Sequence, residues 1–444
     1  MAAGREHFGS STAATLAMAG SAIGLGNIWR FPYMVGEHGG AVFIVVYLLS
    51  ALLLSLPIML SEAVIGKATH AGTFGAMERL APGSRWKWLG LLTVVTPMII
   101  LSYYSVVGGW SLRFFGEAMA RGFDAGAESF FGRFIASAWG PLACHTLFLA
   151  LTAGIVLGGV KSGIERFNKI SLPLLFALML VLMGYSLSLP GSRAGVAYLL
   201  RPDFSKLSPS LVAAAMGQSF FSLSLGVGTI LTYASYMKKE DSILRTGIGT
   251  AGFDLLFALI AGFVIMPAVF AAGIQPDAGP GLIFETLPFI FAKMGAGAAW
   301  LSRAVSILFF FSIVIAALTS SISMFEVGVA YLVEERKMSR TGAVLLLFVR
   351  TWSLGALCSL SFGPLSGTRI LGERIFDLCD RVTSDYLMTF GSLLFVLFAG
   401  WKMDRARVGS ELGGDGRLFG VLYFLIRYVA PLAIVAIFIS NLIL

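Results

Sequence analysis

Charge is what this chain has least of. Only 13% of its 444 residues are Asp, Glu, Lys or Arg, about half of the roughly 25% usual in soluble domains. Hydrophobic residues reach 57% and mean hydropathy is +0.85. A soluble fold of this length has no interior large enough for that apolar content, so lipid is part of its solvent. Cysteine is scarce too. Cys144, Cys358 and Cys379 make no metal or disulfide spacing and read as small apolar fillers. The four histidines, His7, His38, His70 and His145, show no H-E-x-x-H pattern, and no Ser/His pair falls at the middle of a span, so an enzyme is not expected. The N-terminus lacks a short apolar run followed by a cleavage site, and the first apolar segment is expected to stay in the mature protein. The net charge of +8 is not gathered into one patch, which argues against nucleic acid as a partner.

What is present is long apolar runs. About eleven stretches are long enough to cross a bilayer, near 10–35, 41–66, 88–120, 141–158, 167–188, 209–235, 243–272, 298–333, 339–360, 372–400 and 417–443. The segment 277–296, PDAGPGLIFETLPFIFAKMG, is too short and broken to span, and is expected as a re-entrant or surface helical hairpin. With the N-terminus in the cytoplasm, the inner connectors and Arg5 hold more than half of the 32 Lys and Arg. The positive-inside rule therefore predicts a multi-pass protein of the plasma (inner) membrane, N-terminus cytoplasmic and C-terminus external.

Two spans are interrupted in the same way. AMAGSAIGLGNIWRFPY (17–33) and GQSFFSLSLGVGTILTY (217–233) each carry serine and a G-x-G pair at mid-span, Gly24 and Gly26, then Gly226 and Gly228. Each glycine costs a helix roughly 1 kcal/mol. Small residues also serve close helix packing, but both segments lead a block of about five spans, which packing alone does not require. Backbone that leaves the helix at membrane depth has to be paired with protein, water or ligand. Paired broken helices are the mark of an inverted-repeat transporter with its site at the midplane. Half-helix N-termini suit a carboxylate and free carbonyls suit a cation.

At these residues the chain resembles the neurotransmitter:sodium symporter family. The resemblance runs through GREHFGSSTAATLAMAGSAIGLGNIWRFPYMVGEHGGAVFIVVY (4–47), YYSVVGGW (103–110), GQSFFSLSLGVGTILTYASYMKKE (217–240) and ALTSSISMFE (317–326). It implies an all-α membrane protein with the leucine-transporter-type inverted five-helix repeat and broken helices 1 and 6. One transmembrane domain would fill 1–444, with repeats at about 10–188 and 209–400, an extra helix at 417–443, and no counterpart of the family's usual twelfth helix. The implied function is sodium-coupled import of a neutral, hydrophobic amino acid by alternating access.

The resemblance also implies residue roles. The substrate carboxylate would meet the amides near Leu25 and Gly26 and the Tyr104 hydroxyl. Two sodium ions are implied. The first would use Ala22, Asn27, Ser222, Asp254 and the substrate carboxylate, and the second Gly20, Ile23, Ala316, Thr319 and Ser320. Ile100, Phe221, Ser224, Val227, Ser320 and Met324 would line the side-chain pocket, where Val227 replaces the Phe of several members and leaves room. The outer gate falls on Arg30 with Asp380, Asp377 being the second choice, and the inner gate on Arg5 and Glu334 with Ser235 and Tyr236. A Gly-x9-Pro motif, Gly163 to Pro173, implies that the fifth span unwinds at its cytoplasmic end. For Thr319 and Ser320 back-bonding to their own helix is the plain alternative; for Arg5 and Arg30 it is snorkelling to headgroups.

Two positions depart from the family pattern. Asp254 stands where Asn is usual, and Ala258 where relatives place Ser or Glu, while Tyr47, Gln218 and Ser222 keep the chloride-site pattern. A carboxylate inside the membrane marks a functional site, and Asp254 is expected to replace chloride as the local negative charge. Phe8 stands where relatives tend to have Trp, which bears only on packing at the inner gate. Proton coupling through Asp254 and a non-transporting amino-acid sensor are the alternatives.

Overall fold

The computed structural model describes residues 6–123, 127–276, 283–294, 299–414 and 416–443. It is all-helical, with no strand among the described residues. Among the described residues nine helices are long and apolar enough to span a membrane: Ala41–Thr69, Lys87–Ala120, Trp139–Leu157, Val160–Ser188, Ile243–Ala271, Ala299–Glu334, Arg340–Leu360, Ile375–Lys402 and Arg417–Ile439. Two more are broken. The first is Ser11–Ala22 followed, after a wide π-type turn at Gly26–Arg30, by Phe31–Glu37. The other is Pro209–Ser222 followed by Thr229–Ala234. Numbered in chain order these are spans 1 to 11, the broken ones being 1 and 6.

The spans sort into two packed groups. Spans 3, 4, 8 and 9 pack on one another, and the halves of spans 1 and 6 pack with spans 2 and 7. The first half of span 1 also touches spans 5 and 8, so the two groups meet at its break. That is where an inverted-repeat transporter keeps its site.

Local chemistry explains each break. Ser10 caps the first half-helix, its Oγ accepting from Ala13 N at 3.2 Å, and Ile23 ends it with extended backbone, ψ 110°. In span 6, Ser224, Gly226 and Gly228 all take positive φ, at 52°, 77° and 72°. Only glycine adopts that region without strain. A Cβ on Gly226 would lie 2.0 Å from the carbonyl oxygen of Met388, so span 10 also demands the missing side chain.

The structure differs from expectation in two places. Span 5 stays helical from Val160 to Ser188 with Pro173 inside it, and its first segment, Val160–Glu165, is a wide π-type turn rather than an unwound end. Gly163 has a packing role there, since its Cβ would lie 2.1 Å from Ile155 O at the end of span 4. Of the hairpin expected at 277–296, residues 283–285 form a turn leading into a helix at Thr286–Met294, and 277–282 and 295–296 lie outside the described residues. Short helices at Thr73–Leu80, Ala127–Ala136, Ser192–Leu200 and Arg405–Leu412 occupy connectors that the apolar runs left unspecified.

Candidate substrate and ion site

The two breaks free backbone groups that must find partners at membrane depth. Gly24 N donates to Asn27 Oδ1 (3.0 Å) and Leu25 N to the Tyr104 hydroxyl (3.2 Å). Gly26 O accepts from Gln218 Nε2 at 2.9 Å. Ser21 O accepts from Ser224 Oγ and Ser320 Oγ, at 3.1 and 3.2 Å. A Cβ on Gly24 would stand 2.3 Å from Ser320 Oγ and 2.9 Å from the Tyr104 hydroxyl, so glycine is needed for this approach. The amide of Leu25, Tyr104 and Ser320 thus converge.

A second cluster forms around Asp254, which is fully buried. Asn27 Nδ2 donates to Asp254 Oδ1 (2.7 Å), to Ser222 Oγ (3.0 Å) and to the Asp254 carbonyl (3.2 Å). Ser222 Oγ donates to the carboxylate at 2.9 Å and accepts from the Tyr47 hydroxyl at 3.3 Å. The Asn27 NH2 group therefore sits among three oxygens, a donor in the position where hard oxygen ligands would hold a cation.

A third cluster joins spans 1 and 8. Thr319 Oγ1 donates to Ile23 O (3.0 Å) and to Ala316 O (2.8 Å), and Ser320 Oγ donates to Ile23 O at 3.2 Å. The bond to Ala316 is the back-bonding that a helix alone would give; the bonds to Ile23 are not, since they cross between spans. Gly20 lies against span 5, where its Cβ would fall 2.0 Å from Asn168 Oδ1. Asn168 Oδ1 is buried with no hydrogen-bond partner.

Beside these clusters lies a cavity of about 350 Å³, lined by Leu25, Arg30, Tyr104, Phe221 and Asp380 among others. The Arg30 guanidinium rests 4.7 Å from the Phe221 ring centre, a cation–π contact. Asp380 shares the cavity with Arg30, and among the described residues the two form no ion pair. Asp377 is held by Arg374 at 2.6 Å, so of the two expected acids Asp380 is the one left to face Arg30; Asp385 lines the same cavity. Ile100, Val227 and Met324 are buried in the core and are not among the lining residues.

The residues expected at the inner gate gather around Phe8 and Tyr236. Phe8 is fully buried edge-on to Tyr233 and Tyr236, and its N–H donates to Tyr236 O at 3.0 Å. Phe substitutes for the expected Trp without loss of burial. Glu334 accepts from Gly72 N at 2.8 Å, and Tyr236 donates to Glu326 at 2.8 Å. Arg5 lies outside the described residues.

Sequence reasoning missed two buried acids. Glu62 in span 2 accepts from Gly226 N at 2.7 Å, capping the break of span 6. Glu326 in span 8 is fully buried and pairs with Arg340 of span 9 at 2.6 Å. Both were visible as lone acids within apolar runs, a signal of function or pairing.

A family model described as the sodium:neurotransmitter symporter family matches residues 5–124 and 137–444. The chain belongs to that family. It is a sodium-dependent multi-pass membrane symporter and not an enzyme. Among its relatives is YhdH, an uncharacterized sodium-dependent transporter of Bacillus subtilis (strain 168), 35% identical and covering 96% of this chain and 95% of that one. An uncharacterized sodium-dependent transporter of Haemophilus influenzae is 31% identical, covering 99% and 98%. The crystal structure of MhsT in complex with L-phenylalanine matches with a TM-score of 0.91 at 41% identity, covering 99% of this chain and all of that one. The symporter thus has the leucine-transporter-type fold, with eleven spans, nine of them unbroken, among its described residues.

Proposed function

We propose that this symporter imports a neutral, hydrophobic amino acid by alternating access, driven by two sodium ions. The observation that carries the reading is the Leu25 N–H directed at the Tyr104 hydroxyl, 3.2 Å apart, beside the buried Asp254 cluster. An α-carboxylate bound there accepts from both groups, and its second oxygen reaches toward the Asp254 cluster. L-phenylalanine in MhsT supports the substrate class.

The first sodium displaces the Asn27 NH2 group from its three oxygens. Its carboxamide turns over so that Oδ1 faces the ion, beside Ser222, Asp254 and the Ala22 carbonyl. The second takes the carbonyls of Gly20, Ile23 and Ala316 with the hydroxyls of Thr319 and Ser320, whose protons now point at Ile23 and Ala316. Since these groups come from spans 1 and 8, that ion ties the two packed groups together. Asp254 supplies the negative charge that makes chloride unnecessary. Phe221 and the Arg30–Asp380 pair close the cavity on one side. Phe8, Tyr236 and Glu334, with Arg5, close the other. Lys and Arg placement supports a cytoplasmic N-terminus and an external C-terminus. The whole of 1–444 acts as one domain of two repeats plus an extra span.

A tenfold sodium gradient and 100 mV supply about 3.7 kcal/mol per ion. Two ions sustain an amino-acid gradient on the order of 10⁵ if the substrate carries no net charge. The test is uptake of each of the twenty amino acids into proteoliposomes with an imposed sodium gradient. Accumulation of phenylalanine, leucine or their like in sodium but not in potassium buffer is expected. Uptake that is equal without sodium and follows a proton gradient would replace this reading with the proton-coupled one.

A further inference from the structure

The cysteines gave no disulfide spacing in the sequence, yet two of them meet. Cys358, fully buried near the end of span 9, has its Sγ 3.9 Å from the Sγ of Cys379, partly exposed in the opening helix of span 10, Ile375–Arg381. Both are free thiols. A disulfide needs the sulfurs at about 2.05 Å, with Cβ atoms about 3.8 Å apart. From van der Waals contact, a modest change of side-chain torsion and helix position reaches that geometry.

The surroundings give such a bond a consequence. Cys379 directly precedes Asp380, the wall of the cavity that faces Arg30. Its carbonyl accepts from Thr383 Oγ1 at 2.7 Å, and Thr383 Oγ1 lies 3.2 Å from the Tyr103 hydroxyl of span 3. Phe376 of the same helix packs on Trp110 and Tyr103. The thiol contact is therefore one link from this helix to span 9, alongside the Phe376–Phe362 ring contact just beyond it and aromatic links to span 3. In the proposed gating, closure would bring Asp380 toward Arg30 and with it the helix that carries Cys379.

We propose that Cys358 and Cys379 form a reversible dithiol–disulfide couple that, when oxidised, holds the opening helix of span 10 against span 9 and slows transport. The reaction is exchange with a disulfide reagent or an oxidised dithiol. The more exposed Cys379 loses its proton and its thiolate attacks one sulfur of the oxidant, breaking that bond and releasing the first thiol. The Cys358 thiolate then attacks the Cys379 side of the mixed disulfide and releases the second. Two electrons pass to the oxidant, whose two sulfurs leave as thiols carrying the two protons. With the proposed orientation the pair lies at the external face, where disulfides persist. The effect on transport rests on the Arg30–Asp380 gate; the formation of the bond does not.

The test uses the full-length protein carrying Cys144→Ala, in proteoliposomes, with 4,4′-dithiodipyridine as the oxidant. Release of two pyridinethiones per chain is expected, with intact mass lower by two hydrogens and no retained adduct. Sodium-driven uptake should fall severalfold and recover with dithiothreitol, and Cys358→Ser should take one retained adduct in place of the crosslink. Two retained adducts, or no reaction, would overturn the couple. A crosslink that leaves uptake unchanged would overturn the lock. If the reduced protein transports no amino acid at all, the substrate reading fails while the mass and thione readings still decide whether the couple exists. Substituting Cys379 by Ser should leave uptake in dithiothreitol near that of the parent.

Discussion

Asn27 Nδ2 lies 2.7 Å from Asp254 Oδ1, a direct bond between the broken first span and the seventh. In the proposed sodium site this carboxylate would face the first ion, in the place that the Asn27 amide fills in this arrangement. Removing the carboxylate leaves Asn27 and Ser222 with neutral partners only. Asp254→Ala should lower sodium-driven uptake by about tenfold or more, a change of at least 1.4 kcal/mol in binding or barrier. Uptake measured across a sodium titration checks this, and an unchanged half-saturating sodium concentration would count against the role.

Asp254 also bears on chloride. The wild type should transport equally well when gluconate replaces chloride in the proteoliposome buffer. Asp254→Asn combined with Ala258→Ser restores the family's chloride-site pattern next to Tyr47, Gln218 and Ser222. That double variant should lose most uptake in gluconate and regain it in chloride. Chloride dependence in the wild type would remove Asp254 from this role.

In the proposed function Val227 would limit the room for the substrate side chain, although it does not line the cavity of this structure. Val227→Phe adds several methylene equivalents to a buried position, and misfit of that size costs about 1–3 kcal/mol. Phenylalanine uptake should fall by tens of times while alanine uptake changes little. Competition assays with the two amino acids read the ratio directly; equal losses would show that Val227 faces elsewhere.

Gly226 is constrained twice, by φ of 77° and by Met388 O at 2.0 Å from an added Cβ. Gly226→Ala should lower the melting temperature of the detergent-solubilised protein by several degrees and abolish uptake, a destabilisation of roughly 2–4 kcal/mol. Gly217, whose Cβ would meet nothing within 4 Å, is the control. Gly217→Ala should melt close to the wild type.

Glu62 accepts the Gly226 N–H that the break of span 6 leaves free. Glu62→Ala strands that donor in the core at a cost of about 1–3 kcal/mol, whereas Glu62→Gln keeps an acceptor for it. Melting curves should therefore rank wild type and Glu62→Gln above Glu62→Ala. Equal melting of Glu62→Ala and wild type would mean that the amide finds another partner.

Much of this protein was determined by its sequence alone. Apolar run length set the spans, because a bilayer of fixed thickness rewards a fixed length of helix. The two G-x-G pairs marked the breaks, because glycine is costly in a helix and free at positive φ. Asp254 announced itself as a carboxylate in an apolar span. The tertiary structure decided what depends on which spans touch. Glu62 meets Gly226, Glu326 meets Arg340, and Cys358 meets Cys379 across different spans, and no local pattern encodes those pairs. Gly163 and Pro173 carry a pattern for an unwound end, and in the packed bundle that end is a wide π-type turn with Gly163 close against Ile155. Helix formation is decided by neighbours along the chain, but side-chain partners are decided by the crossing of helices, and that crossing is a property of the whole packed bundle.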